Sequence, residues 1–518
     1  MTRKLSGLIF YLLPGLGDIL WISALVGAIG LGPRMMNIDG DLGRHLTIGR
    51  WILANGRVPT TDLFSHTMAG QPLTPHEWLS QVLFALADRA MGLNGVVLLS
   101  GLVIATAFWL VYRRARDASH EILGAVFAVV LAMAASSLHW LTRPHIFTFL
   151  MLALWVNVLE DLRRGRLQRW WWLPVIMLAW ANLHGAFIAG FVTWGLYGLG
   201  VAWDAFWRNF SKGEGLHGRF WRYFLLGGAA SLLATLANPA GPGLWATSVG
   251  YVGNRYLVSH TAEYLPPNFH DPSTWPFLVM IGLFVLALGL QGRRQEGGHG
   301  VSAARVIPAA AWLVMGLYSV RNAPLFAIVA APLLASVFAE WLAANHYRLK
   351  LLSRFNQMNQ RLLQTDLSLR GILWPVIILA LVIIGYQSGA KLDFQQRGNA
   401  FDSQVFPVQA VDWLVEHPQQ GNMFNHFPWG GYLLYRMWPQ QRVFIDGQTD
   451  FYGEGLTRQY EQVLTISTGW EAVLEQYQVR WVIIPPSGPL AITLRGDPGW
   501  KSVYQDETAE IFVKAAAP

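Results

Sequence analysis

Long apolar runs separated by short arginine-bearing segments set the pattern of this chain. The runs fall at about Met1 to Leu31, Val96 to Tyr112, Ile122 to Leu141, Ile146 to Leu159, Trp171 to Leu183, Ala186 to Phe206, Phe224 to Leu236, Trp275 to Leu290, Ala304 to Val320, Leu325 to Leu342 and Ile372 to Tyr386. At roughly 20 residues per crossing, applied loosely, they predict eleven membrane spans. Charge supports the alternation: Arg113, Arg114 and Arg116; Arg163 to Arg169; Arg208 to Arg222; Arg293 and Arg294; and Arg348 to Arg370 all fall on one side, which the positive-inside rule makes cytoplasmic. Arg3 and Lys4 put the N-terminus on that side too. The first run exceeds a signal-peptide core and has no small-x-small site before Pro33, so it reads as an uncleaved span.

Two regions break the pattern. Between the first two spans, Ile38 to Gly92 carries Asp39, Asp41, His45, Asp62, His66, His76 and Glu77, and a loop of this length in a compact protein is uncommon without a role. Two surface helices are predicted in it. In the first, Asp41 and His45 stand four apart on one face while Leu42, Leu46 and Leu53 form the apolar side. The second opens on Thr74-Pro75-His76-Glu77, with a hydroxyl at the N-cap, Pro at the first position and a carboxylate at the third. After Tyr386 the chain turns polar, and helical patterns alternate with β-rich runs such as Arg442 to Ile445 and Arg480 to Ile484, predicting a small α/β domain on the external side. Within it, Phe427 to Tyr432 and Ile445 to Asp450 have turn-rich composition suited to a ligand. The polar stretch Leu351 to Thr365 predicts a helix lying on the cytoplasmic surface.

Composition agrees with the patterning. Of 518 residues 53% are hydrophobic and 13% charged, against about 25% charged in soluble domains, and the mean hydropathy is +0.32. The expected class is a polytopic α-helical membrane protein. Many of the 25 Trp sit at the ends of apolar runs, as an interfacial belt requires. The net charge of +7 resides in the short loops, which points to membrane lipids rather than nucleic acid. With no Cys, disulfides and thiolate chemistry are excluded.

Under this topology Asp39, Asp41, His45, His76, Glu77, Arg143, His145, His184, Asn238, Glu263 and Arg321 all lie at or near the external ends of different spans. Ionisable groups at membrane depth are costly, so such convergence is a functional expectation. Each also has a structural reading. Glu77 fits a capping box and Asp39 an N-cap, Arg143 and Arg321 fit headgroup anchors, and Trp429 and Tyr432 fit the core of the external domain. His184-Gly185 reads as a tight reversal requiring Gly. No zinc spacing is present, but oxygen-rich Mg or Mn coordination by Asp39 and Asp41 stays open.

Six motifs carry a resemblance: D-G-D-x-x-x-H after the first span, H-E-W in the same loop, R-P-H-I-F at Arg143 to Phe147, A-N-L-H-G at Ala181 to Gly185, N-P-A-G at Asn238 to Gly241 and R-N-A-P-L-F at Arg321 to Phe326. With the C-terminal domain, they resemble bacterial membrane proteins of the GT-C glycosyltransferase superfamily, the group of protein O-mannosyltransferases, aminoarabinose transferases and oligosaccharyltransferases. The resemblance implies a GT-C-like transmembrane domain over residues 1–390, with a first external loop at 33–93, and an extracytoplasmic domain at 391–518. It implies an inverting hexosyl or pentosyl transfer from a polyprenyl-phosphate sugar to a glycan, lipid or protein acceptor at the outer face of a bacterial-type inner membrane. Asp41 or Asp39 would then be the base, and Arg143, Arg321 and His184 would stabilise the departing phosphate. Independently of the resemblance, Trp429, Tyr432 and Asp446 are sugar-compatible residues in loop-like runs, which predicts that the external domain helps bind substrate, and a divalent cation (Mg or Mn) stays open as the cofactor. Two other classes stay open: a flippase or transporter, and a non-catalytic saccharide-binding assembly subunit.

Overall fold

The computed structural model describes residues 12–212, 218–292, 302–369, 371 and 373–515. Every apolar run coincides with a helix in its described part. Six of these helices are long and apolar enough to cross a membrane on their own: Leu93–Ser119, His145–Arg163, Gly185–Trp207, Gly218–Ala237, Pro272–Leu290 and Val320–Asn345. Lys350–Ser368 and Leu373–Gln387 pass only as a pair, while Leu16–Gly30, Leu123–His139 and Ala303–Tyr318 are apolar but shorter. The chain is thus a multipass membrane protein. Arg3, Lys4, Arg293, Arg294 and Arg370 lie outside the described residues.

Leu93–Ser119 is the central span, packed on Leu16–Gly30, His145–Arg163 and Ala323–Asn345. Small residues allow the approach: a side-chain carbon on Gly101 would come 3.1 Å from Leu25 and 3.3 Å from Ala28. At the arginine-bearing ends of the spans, Glu160 receives Arg163, Arg164, Arg305 and the Tyr197 hydroxyl, and Asp161 receives Arg114, Arg166 and Arg169. This network has acids, but basic partners surround each one. Helix Lys350–Ser368 is pinned to the same end, because the Asn359 side-chain carbonyl accepts the Ile122 and Leu123 amides and Asp366 accepts the Leu16 amide.

At the opposite end the first loop forms two helices, Asp41–Asn55 and Trp78–Met91. They touch closely, since a carbon added at Gly49 would lie 2.0 Å from the Gln81 carbonyl. Leu42 and Leu46 are buried as expected, whereas Leu53 is exposed. Ile48 and Ile52 are buried too, and they join a second core with Phe406, Met423, Trp429, Tyr432, Trp481 and Ile511. One hydrophobic core is therefore shared by the loop and the C-terminal segment.

The C-terminal segment carries a four-stranded sheet in the order β1-β2-β4-β3, with β1 Asn422–Asn425, β2 Val479–Ile484, β3 Trp500–Gln505 and β4 Glu510–Lys514. β1 and β2 run parallel, and β4 is antiparallel to both β2 and β3. Alternate residues of β2 feed two cores, Trp481 and Ile483 on one face and Val482 and Ile484 on the other, as a sheet buried on both faces requires. The expected strand at Arg442 to Ile445 is not formed. Only Val443 makes an isolated bridge, to Ser65, and Phe444 and Ile445 donate instead to the Asn425 side chain. Its apolar residues are a buried extended loop, which carries the same hydrophobic signature as a short strand.

The loop and the C-terminal segment meet backbone to backbone. A side-chain carbon on Gly40 would lie 1.8 Å from the Pro428 carbonyl oxygen, and one on Gly431 would lie 2.1 Å from the Gly40 oxygen. Gly431→Ala should therefore wedge the two apart at an overpacking cost of about 1–3 kcal/mol. Its lower unfolding temperature and faster proteolysis ahead of β1 would separate it from Gly455→Ala, whose added carbon meets nothing within 4 Å. Equal behaviour of the two variants would show that this contact does not hold the segments together.

Candidate active site

Arg143 stands just before the helix His145–Arg163, and its backbone is fixed by Thr142, whose amide and hydroxyl both donate to the Met35 carbonyl. Three carboxylates close on its guanidinium. Nη1 donates to Asp39 Oδ2 at 3.1 Å and to Glu263 Oε1 at 2.5 Å, and Nη2 lies 2.6 Å from Asp41 Oδ2. Asp41 is the first residue of its helix, and Asp39 Oδ1 accepts the Asp41 amide at 3.0 Å, a local Asx turn. Burial opposes charge on Arg143, but the three carboxylates outweigh it and hold the guanidinium firmly protonated. Burial likewise opposes the charge on Glu263, and Arg143 and Arg321 override it, keeping the carboxyl well below its usual range. At Asp39 burial wins over Arg143 and raises the pKa. Expected as a phosphate ligand, Arg143 is instead enclosed by acids.

Glu77 is the second hub, and here the sequence expectation fails. The helix begins at Trp78, so Glu77 sits at the N-cap and its side chain makes no capping bond. The Thr74 hydroxyl that a capping box needs is 2.7 Å from the Thr247 hydroxyl. Released from capping, the Glu77 carboxylate lies 3.6 Å from His184 Nε2, 3.7 Å from Arg44, and 3.9 Å from both His45 and His76. The expected pairing of Asp41 with His45 is not made either. Asp41 turns to Arg143, while His45 Nδ1 lies 3.5 Å from the Gln81 amide. Burial, reinforced by Arg44 and Arg143, holds His45 neutral, with its pKa well below the usual value.

Arg321 joins the hubs. It lies 3.6 Å from Glu263, donates to the Tyr264 hydroxyl at 2.8 Å and reaches 3.5 Å from His184 Nε2. The other His184 nitrogen is 2.8 Å from the Thr148 hydroxyl. His184 is extended, φ −162° and ψ 139°, and Gly185 has no left-handed backbone; a carbon there would meet the His76 ring at 3.1 Å. Close approach rather than a reversal explains that glycine. His145 shares a hydrogen bond with the His139 carbonyl and stands edge-on to His184. Asn238 is spent on structure, donating to Ala181 and accepting the Ala240 amide.

The C-terminal segment closes the ring. Asp446 lies 3.8 Å from Arg44, whose Nη1 donates to Gln448 at 2.6 Å. Asp450 lies 4.0 Å from His76. Between them Gly447 abuts Asp41, where an added carbon would fall 1.6 Å from Oδ1. Trp429, expected to face a sugar, is 3% exposed and donates to the Val405 carbonyl, so it belongs to the core. Tyr432 is buried beside it. Sequence reasoning missed Arg44, Thr148 and Tyr264, whereas Gln448 and Asp450 fall in the run Ile445 to Asp450 that it singled out. Arg44 had a signal, a charge flanked by Leu42 and Leu46 at helical positions that both become buried.

The oxygen ligands considered for Mg or Mn do not fit that role. Among the described residues no group of three or more His, Cys, Asp or Glu is arranged around a metal position, and Asp39, Asp41 and Glu263 converge on Arg143 instead.

Asp446 provides a pH test. Burial raises its pKa from 3.8 to about 6 despite Arg44. The folded state therefore binds this proton more tightly than the unfolded chain, so stability from this group falls as pH rises from 3.8 to about 6. The cost is complete above that window. Asp446→Asn should raise the unfolding temperature relative to wild type at about pH 7.5, and the advantage should vanish near pH 4. A variant less stable by the same margin at both values would instead make the Asp446–Arg44 pair net stabilising.

No protein-family model and no curated protein matches the sequence. The fold is nevertheless shared with solved structures. The oligosaccharyltransferase of Archaeoglobus fulgidus with a tethered acceptor peptide matches at TM-score 0.54 and 13% identity, over 96% of this chain and 74% of that one. The oligosaccharyltransferase AglB of the same organism, in complex with an inhibitory peptide and a dolichol-phosphate, matches at TM-score 0.58 with the same identity and coverage. ArnT from Cupriavidus metallidurans bound to undecaprenyl phosphate is at 0.48 and 14%, over 96% of this chain and 98% of that one. The chain shares the fold of the archaeal oligosaccharyltransferase.

Proposed function

We propose that this protein is a membrane glycosyltransferase that moves a sugar from a polyprenyl-phosphate donor to an acceptor at the external membrane face. The observation that carries the reading is the ring of acids, arginines and histidines, assembled from the first loop, the span ends carrying Arg143, His184 and Arg321, the loop carrying Glu263 and the C-terminal segment, on a GT-C fold. Transporters place their ionisable residues near the midplane, commonly at broken helices; this ring gathers at one end of the bundle. Residues 1–390 would form the transmembrane part, with eleven spans, and residues 391–518 the external domain. The N-terminus would be cytoplasmic, in a bacterial-type inner membrane.

In this reading Asp41 takes the acceptor's proton as the acceptor oxygen or nitrogen attacks the anomeric carbon. The bond from that carbon to the phosphate oxygen breaks, with inversion. Asp41 is fixed on three sides, by its helix start, by Arg143 and by Gly447. Asp39, in the turn before the helix, supports it. Phosphate leaving with the electron pair is stabilised by Arg321 and hydrogen-bonded by His184, the groups on the far side of Glu263. Glu77 stands beside His184, His45 and His76, and His145 packs against His184.

The test incubates purified protein with undecaprenyl-phosphate-linked hexoses and pentoses and measures release of undecaprenyl phosphate in the presence of candidate acceptors. Loss of a general base costs about 100- to 10,000-fold in rate. Asp41→Asn should fall in that range while remaining folded and able to bind the donor lipid, and Asp39→Asn should fall less. Near-normal turnover in folded Asp41→Asn would refute the assignment, and loss confined to Asp39→Asn would move the base there.

A further inference from the structure

Three carboxylates from three separate segments aim at one point, and a side chain of the protein occupies it. Asp39 comes from the loop turn, Asp41 from a helix start and Glu263 from a distant loop, and their oxygens lie 2.5 to 3.1 Å from the two terminal nitrogens of Arg143. That spacing is charge-assisted hydrogen bonding, whereas Mg would need oxygens at about 2.0–2.1 Å around an octahedron. The guanidinium is permanently charged and presents its donors in a fixed plane. It is tethered as well, with Thr142 bonded to Met35 on one side and Pro144 on the other. On its other side Asp41 Oδ1 lies close to the backbone of Gly447.

We propose that Arg143 is the resident cation of the Asp39–Asp41–Glu263 trio, holding the carboxylates in place of a divalent metal, so that the site works without one and becomes a metal site only when the guanidinium is removed. Neutralisation and orientation are the two services such a cation provides, and Arg143 performs both. One amino group pulls Asp41 into position while the other bridges Asp39 and Glu263. A divalent ion entering beside it would meet like charge at contact distance. Arg143 is in this sense a positioning residue, acting through Asp41. Its consequence for catalysis rests on the glycosyl-transfer reading, but its occupancy of the trio does not.

The experiment measures Mn2+ binding to the full-length purified protein by electron paramagnetic resonance, with the unfolding temperature recorded in EDTA and in MnCl2. Wild type should show no saturable Mn2+ binding at the trio and the same unfolding temperature in both. Arg143→Ala should gain a single saturable Mn2+ site, be stabilised by the ion, and lose both properties in Arg143→Ala/Asp41→Asn. Arg143→Lys, which keeps a cation there, should not gain the site. Mn2+ binding by wild type that Asp41→Asn abolishes, or a wild type destabilised by EDTA and restored by Mn2+, would overturn the proposal. So would a folded Arg143→Ala that takes up no Mn2+. Where Arg143→Ala does not fold, the wild-type arm decides alone. Mn2+-dependent sugar transfer would sink this inference and leave the function standing; an inactive wild type that ignores Mn2+ would do the reverse.

Discussion

The guanidinium of Arg143 is the point on which the polar end of this molecule closes. Without it, Asp39, Asp41 and Glu263 would bring like charges together in a partly desolvated site, and repulsion would push the loops that carry them apart. With it, one cation draws the loop turn, the first-loop helix and the loop carrying Glu263 onto the start of a span. The geometry is tight enough that removing the partner of such buried charges costs on the order of 3–5 kcal/mol. Glu263 passes the coupling on to Arg321, Arg321 reaches His184, and His184 faces Glu77. The ring is one connected network rather than a set of separate anchors.

A second constraint is steric. The C-terminal segment can reach the network because Gly40, Gly43, Gly431 and Gly447 let backbones come within distances that any side chain would forbid. Those approaches place Asp446 and Asp450 beside Arg44 and His76, and they seat Gly447 on Asp41. Apolar burial then fixes the arrangement, since Ile48 and Ile52 of the loop helix sit in the same core as Trp429 and Trp481. Trp429 thus helps the site by holding the wall in place, which explains why it is buried rather than displayed.

Much of this was legible in the sequence, and the failures have physical causes. The apolar runs located the helices because burial and lipid contact both demand continuous hydrophobicity. The convergence of Asp39, Asp41, Glu77, Arg143, His184, Glu263 and Arg321 followed from topology alone. Partner choice did not follow, because i to i+4 spacing places Asp41 and His45 on a face without saying what else reaches it; Arg143 and Glu77 did. Thr74 to Glu77 has the composition of a capping box, yet Thr74 found Thr247 across the fold. Local pattern names what a residue can do locally, and tertiary contacts offered a competing partner. Arg442 to Ile445 misled for the complementary reason: burial makes an extended loop as apolar as a strand. Arg44 went unnoticed because a single charge in an amphipathic helix looks solvated until its neighbours are known.

The most direct measurement is a cryo-electron microscopy structure of the protein with a non-transferable polyprenyl-phosphate sugar. The account places its phosphate against Arg321 and His184, its anomeric carbon facing the Asp41 carboxylate, and the lipid tail running down between the spans. Arg143 should stay bound to its three carboxylates. A donor phosphate held instead among Arg163, Arg166 and Arg169 at the opposite end, or a sugar lodged midway along the spans, would contradict it.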